Sequence, residues 1–441
     1  MENSLLLTCD TIRNNSLRLH PSLAQKLGIY ETMERKICFG SRKLLAEVEL
    51  CEGLPKNVAS LSSDIMSEIN IPENCRFEIQ QKKDEIHIGP FIGLLAGYSH
   101  ESVKNKLDNL YDYLLHYQDI KGAIIAFSIE KTNKENLTVE SYVYNPLTKC
   151  WDKGVFPYPS SIFVMTSSVS SRWMKHFKSI LGNSIFNDFN YNNWEIEKLL
   201  SSSIEVKNYM PESILYQSPK ELHNFLIKFR NVIVKPKNAF EKSPPLLLSK
   251  QKYELVFSSP TKGILKVAPF HKKDQAYSTY ERFLRKGDSI IQAIEGSKDI
   301  RKINFRLIMV KNREGTWQSM GMYTKKKVSI SKMKKIYPVI KLEQKHLMEH
   351  LQFSNVITSM LLNEIYYIAY DALSVIERNG VHFANAAIDM SIDAKGRIQL
   401  LHIDHCCPSH EIALVSGNPE LYYETLKHNI LYAKTLAGFP S

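Results

Sequence analysis

The chain has 441 residues, 44% of them apolar and 10% aromatic, with only 18 glycines and 18 prolines. That length exceeds one ordinary core, and that composition excludes collagen-like, low-complexity and wholly disordered classes. The 57 Lys+Arg against 46 Asp+Glu give a formal charge of +11, which suits anionic partners, but the basic residues are scattered and no nucleic-acid-reading motif accompanies them.

Nucleic acid is therefore not an expected partner. The opening MENSLLLTCDTIRNN has no basic leader and one short leucine run, so no signal peptide is expected. No stretch approaches the ~18 apolar residues that cross a bilayer, and no membrane insertion is expected. Seven cysteines lack any CxxC spacing, which predicts reduced thiols in a cytoplasmic protein.

In chain order, the first feature is a repeat. Leu19, Leu23, Leu27 and Ile29 recur as Leu61, Ile65, Ile69 and Ile71, an offset of 42. Each set precedes a pair of alternating segments, Arg35–Phe39 with Leu44–Leu50 and Arg76–Gln80 with Glu85–Ile88, which predict strands joined by polar turns. A duplicated small β-domain at 1–85 follows. Next, an apolar strand within Gly89–His100, an amphipathic helix over Glu101–Gln118 and a second strand at Gly122–Phe127 predict a parallel strand–helix–strand unit. With strands at Leu137–Tyr144 and Ser161–Met165 this makes an α/β domain at 86–180. From 181 to 441 the pattern is α+β. Helices are expected around Trp194–Ser201 and at Pro219–Phe229, Ser359–Asn379 and Glu420–Ala437. Strands are expected at Val232–Lys235, Tyr253–Phe257, Gly263–Val267, Ser289–Ile294, Asn304–Val310 and Thr316–Tyr323.

The chemistry concentrates in Ala387–Pro408, AIDMSIDAKGRIQLLHIDHCCP. It reads as a hairpin turning at Asp393–Gly396. Strand alternation puts His402 and Asp404 on one face, and the turn brings Asp389 back beside them, so three candidate metal ligands converge. Lys235 leaves an apolar strand where it suits a nucleotide phosphate. Ser289–Glu295 reads as an adenine-contacting hinge or an ordinary buried strand. Arg306 lies inside an apolar strand and demands an anion, either a ligand phosphate or an internal carboxylate. A transition-metal site drawing on His402, Asp404, His405, Cys406, Cys407 or His410 is a further reading, in which only His402, Asp404 and Cys406 share a face.

The collinear segments HIGPFIGLL (87–95), FPYP (156–159), IFN (185–187), Trp194-Glu195, Val234-Lys-Pro236, Ile291-Gln-Ala-Ile294, Asn304-Phe-Arg306, Gly315-Thr-Trp317 and Ile388-Asp389 resemble the ATP-grasp superfamily, and within it the endospore coat-associated YheC/YheD family. The resemblance implies a two-subdomain ATP-grasp fold behind an α/β pre-ATP-grasp domain, in a multidomain α+β and α/β chain. It implies ATP and Mg²⁺ as cofactors, and an acyl-phosphate route to carboxylate–amine or carboxylate–thiol ligation. Lys235 would bind phosphate, Gln292, Ala293, Ile294 and Glu295 would form the adenine hinge, and Arg306 would neutralise the transferred phosphoryl group. Asp389, His402 and Asp404 would occupy the metal positions.

Departures from the family pattern fall on that same site. The metal motif there is Asp, then Glu-x-Asn, and this chain has His402 and Asp404 in the second pair. Mg²⁺ takes hard oxygen ligands, whereas imidazole suits softer metals. The segment after Lys235 contains no glycine to close over phosphates. Asn193 replaces a lysine before Trp194-Glu195, and Ser161–Thr166 replaces a Tyr-x-Arg element. The expected function is a catalytically degenerate ATP-grasp protein of the bacterial spore or its coat, with coat proteins as partners. The alternative is an active ligase with an altered metal site.

Overall fold

The computed structural model describes residues 5–167, 169–188, 191–238, 246–250, 255–259, 263–267, 284–294, 302–325, 328–329, 335–336, 338–405 and 408–440. The chain forms two compact units, Met1–Asp188 with Val310–Gln318 and Glu420–Ser441, and Phe189–Met309 with Ser319–Pro419. The C-terminal stretch Glu420–Ser441 thus groups with the first unit.

The first unit opens with a closed barrel. Its strand order is Leu5–Asp10, Val58–Ser62, Ser16–Leu19, Arg42–Leu50, Met33–Phe39, Glu85–Gly89 and Arg76–Lys82. Ser16–Leu19 and Val58–Ser62 run antiparallel with Arg18 opposite Ser60, Leu17 opposite Leu61 and Leu19 opposite Ala59. Arg18 and Ser60 are themselves 42 positions apart, the register that a two-fold duplication produces at its own axis. Alternation turns Ile37, Phe39, Ile86 and Ile88 into the barrel core, all within 1% exposure. Phe39 stacks on Phe91 at 4.4 Å and meets Phe77 edge-on at 5.8 Å.

Gly40 makes the turn after Phe39 with φ +56, and a Cβ there would collide with the carbonyl oxygen of Tyr158. A backbone obstacle cannot rotate away, and the left-handed φ adds strain. Gly40→Ala is therefore expected to cost about 2 kcal/mol, read as a lowered thermal midpoint with native far-ultraviolet dichroism retained.

A six-stranded sheet follows, in the order Cys150–Pro157, Thr138–Asn145, Ala123–Asn133, Phe91–Gly97, Ser161–Val164 and Ile185–Phe186. Phe91–Gly97 and Ala123–Asn133 are parallel, as the strand–helix–strand pattern requires. The connecting helix is not continuous. It breaks into His100–Lys104, Leu107–Leu110, a 3₁₀ turn at Tyr111–Leu114 and Tyr117–Ile120. The break lets Lys106 reach back to the Ala96 carbonyl at 2.7 Å while Val103, Leu110, Leu114 and Ile120 all stay buried.

The C-terminal helix Pro419–Leu436 is fastened within this unit along its length. Lys434 pairs with Glu78 at 2.6 Å, Lys427 with Asp119 at 2.8 Å, and Tyr422 donates to Asp112 at 3.0 Å. Ser161 and Ser184 donate to the carbonyls of Ala433 and Leu436 at 2.8 and 3.0 Å.

The second unit contains an antiparallel sheet ordered Ser213–Leu215, Ser289–Ala293, Asn231–Pro236, Leu246–Lys250, Leu255–Ser259 and Gly263–Val267. The helix Pro219–Phe229 packs on one face. Ser218 caps its N-terminus, Pro219 sits in its first turn, and Arg230 ends it at φ 58. Leu222, Phe225 and Leu226 meet Val232, Val234, Leu248, Ile291 and Ala293 in one core.

A five-stranded sheet has the order Val339–Lys341, Trp317–Lys325, Ile303–Lys311, Asn385–Ile392 and Ile398–Asp404. The helix Gln344–Leu351, which sequence periodicity missed, packs on the long helix Asn355–Arg378. The helix Asn193–Ser202 touches both the long helix and the strand Ile398–Asp404. Among the described residues, no helix is long and apolar enough to cross a membrane.

Candidate functional site

The hairpin Asn385–Ile392 with Ile398–Asp404 sets the site. Asp389 lies opposite His402 and Ala387 opposite Asp404, with a register shift just after Asp389. Opposite residues of an antiparallel pair share a face, so Asp389, His402 and Asp404 do converge on one side. The turn is held by Asp393, which accepts from the Lys395 and Arg397 amides at 2.9 Å and pairs with the Arg397 side chain at 2.7 Å.

Arg306 comes from the neighbouring strand. Its Nε and Nη2 donate to the two carboxylate oxygens of Asp389, each at 2.8 Å, a bidentate pair with both side chains 30% exposed. The anion that this strand-borne arginine demands is thus an internal carboxylate. Asp389 holds the guanidinium above its ordinary pKa, and the charge of Asp404 acts in the same direction.

Lys235 and Gln292 arrive from the other sheet of this unit. Lys235 lies opposite Ile290, and Ile233 opposite Gln292. That register places Lys235 and Gln292 on the face away from the Val234–Ile291 core. Lys235 Nζ donates to the carbonyl of Leu401 at 2.6 Å, and Gln292 Nε2 donates to the same carbonyl at 3.2 Å and to Glu197 at 3.1 Å. Burial pushes the Lys235 ammonium below its usual pKa, opposed by the charges of Glu197 and Asp389. Burial, reinforced by Lys235, pushes His402 down to about 3. His402 is therefore a neutral imidazole at physiological pH.

Of the remaining hinge residues, Ala293 ends the strand Ser289–Ala293 and Ile294 follows it. The Ala293 amide donates to Glu212 at 2.8 Å and the Ile294 amide to Asn231 at 3.0 Å, while the Ala293 side chain lies in the core. Glu295 lies outside the described residues, as do Cys406 and Cys407. Of the wider transition-metal reading, His405 and His410 are both buried, and burial lowers the pKa of His410 to about 4.

Two participants escaped the sequence reading. Glu197 is 8% exposed on the helix Asn193–Ser202, beside buried Ile196 and Leu200. An acid on the apolar face of a short helix was the signal for it. The other is the Leu401 carbonyl, for which side-chain patterns carry no signal. Asn193, in place of the family lysine, ties down the chain after Lys235 through bonds to the Pro236 and Lys237 carbonyls at 3.1 and 3.0 Å. Glu195 closes a capping box with Asn192.

The donor set does not suit Mg²⁺. Both Asp389 oxygens face a guanidinium, and a neutral imidazole stands where a bridging carboxylate is needed.

A family model described as YheC/D like ATP-grasp matches residues 182–436. The fold is that of the ATP-grasp class. More specifically, the chain belongs to the YheC/D-like ATP-grasp family. It is 23% identical over 244 residues to the endospore coat-associated protein YheD of Bacillus subtilis (strain 168), covering 53% of this chain and 52% of that protein. The chain thus spans about half of that relative's length. Among solved structures, the D-alanine-D-alanine ligase from Coxiella burnetii has a TM-score of 0.43 at 11% identity, over 79% of this chain and 96% of that one. The ATP-grasp ligase PsnB, complexed with precursor peptide and AMPPNP, has a TM-score of 0.43 at 10% identity, over 77% and 98%.

Proposed function

We propose that this chain is a catalytically degenerate ATP-grasp protein that serves as a binding or structural component of the bacterial endospore or its coat. One observation carries the loss of catalysis: Arg306 closes on both oxygens of Asp389, with neutral His402 directly across the ladder. A ligase needs that carboxylate for metal and that guanidinium for the phosphoryl group. Here the two satisfy each other. The kinship with a coat-associated protein supports the spore setting and coat proteins as partners. We read the chain as a small β-domain at 1–85, a pre-ATP-grasp-like domain at 86–180 and an ATP-grasp-like domain at 181–441.

A second reading, an active ligase with an altered metal site, draws on the convergence of Lys235, Gln292 and the Asp389 strand around the Leu401 carbonyl. Calorimetric titration of ATP into the full chain, with and without Mg²⁺, separates the two. The expected result is no Mg²⁺-dependent heat at micromolar ATP. Tight binding that requires Mg²⁺ would overturn the degenerate reading.

A further inference from the structure

The barrel carries a cluster that the ATP-grasp reading does not use. Met33–Phe39 lies between two strands, with Cys38 opposite Lys43 on one side and opposite His87 on the other. Glu85 precedes His87 by two residues, so it projects from the same face. Ile37 and Phe39 take the core side, and Cys38, Glu85 and His87 share the other. The ligating atoms of these three residues all lie within 4.8 Å of one another. His87 Nε2 and the Glu85 carboxylate already stand 3.2 Å apart.

We propose that Cys38, Glu85 and His87 form a zinc site, binding one Zn²⁺ through thiolate, carboxylate and imidazole with water in the fourth position. A mixed sulfur, nitrogen and oxygen donor set suits zinc, and three protein ligands leave one position open. Zn–S bonds of about 2.3 Å and Zn–N or Zn–O bonds of about 2.0–2.2 Å place tetrahedral ligand atoms roughly 3.3–3.7 Å apart. Closing from the observed separations thus needs shifts on the order of 1 Å, within the reach of side-chain torsions.

Three lysines surround the cluster and set its cost. Lys36 lies opposite Glu85 in the parallel ladder. Lys43 donates to Glu85 Oε1 at 2.6 Å, but its side chain is 54% exposed and can turn to water, which frees that oxygen. Burial, reinforced by Lys82 and opposed by Glu85, holds His87 below its ordinary pKa, which favours the neutral form that ligates. Cys38 is buried at 3% exposure, and that burial raises its thiol to about 11. As the Zn–S bond forms, the thiol proton passes to water. Nothing is oxidised or reduced.

The test uses the full-length protein, reduced and stripped with chelator, then titrated with Co²⁺ as a coloured substitute for zinc. One equivalent is expected to give a thiolate-to-cobalt charge-transfer band and a tetrahedral visible spectrum, both erased by added Zn²⁺. Cys38→Ser should abolish the charge-transfer band, while Cys150→Ser, at an exposed thiol elsewhere, should leave it unchanged. His87→Gln should weaken cobalt binding at least tenfold. Absence of the band in the parent protein, or its survival in Cys38→Ser, would overturn the proposal. If Cys38→Ser fails to fold by circular dichroism, unchanged affinity in His87→Gln overturns it instead.

Discussion

Lys434→Met is expected to lower stability by about 3–5 kcal/mol. Lys434 and Glu78 pair at 2.6 Å with side chains 4% and 6% exposed. Two charges that deep have each lost most of their hydration, and their mutual attraction helps to offset that cost. Removing the ammonium takes the cation paired at 2.6 Å away from a buried carboxylate. For a unit of this size the loss is about a 10 °C fall in thermal midpoint. The paired substitution Lys434→Met with Glu78→Leu should recover most of that fall, since a buried ion pair is seldom more stabilising than apolar groups of similar volume. Thermal unfolding of the two single variants and the double checks both statements. A single-variant loss below about 1 kcal/mol would show that water reaches Glu78.

The second large effect is a gain. His402→Glu with Asp404→Asn is expected to create Mg²⁺-dependent ATP binding, improving ATP affinity at least tenfold when Mg²⁺ is added. The exchange preserves local charge, because His402 is neutral and the carboxylate only moves from position 404 to 402. It replaces a nitrogen donor by an oxygen donor directly opposite Asp389. The new carboxylate also competes with Asp389 for Arg306, which releases Asp389 oxygens toward a cation. Calorimetry on the parent and the double variant reads the outcome. Equal ATP binding with and without Mg²⁺ in the double variant would place the defect beyond these two residues.

Much of the site was legible as local pattern. Alternation and turn chemistry placed Asp389, His402 and Asp404 on one face, because a strand's period of two fixes which side each residue takes. The same logic marked Lys235 at the end of an apolar strand. It overreached at Glu101–Gln118, where an amphipathic stripe predicted one helix and the chain folds as several short turns. Apolar spacing records which residues are buried, whether or not the backbone hydrogen bonds run unbroken between them. Strands such as Ser213–Leu215 and Val339–Lys341 are only three residues long, too short for any period to register.

By itself the sequence determined the class of fold, the faces of the strands and the presence of an imidazole and a carboxylate at 402 and 404, since each is a property of residue identity and spacing. Tertiary structure alone decided which charge meets which. Arg306 finds Asp389 from 83 residues away, Lys235 finds the carbonyl of Leu401 from 166, and Lys434 finds Glu78 from 356. Local chemistry states only that a buried charge needs a partner. The choice of partner follows from strand order and helix docking, where burial of apolar surface outweighs any single ion pair. In this chain that choice set Arg306 against both carboxylate oxygens of Asp389.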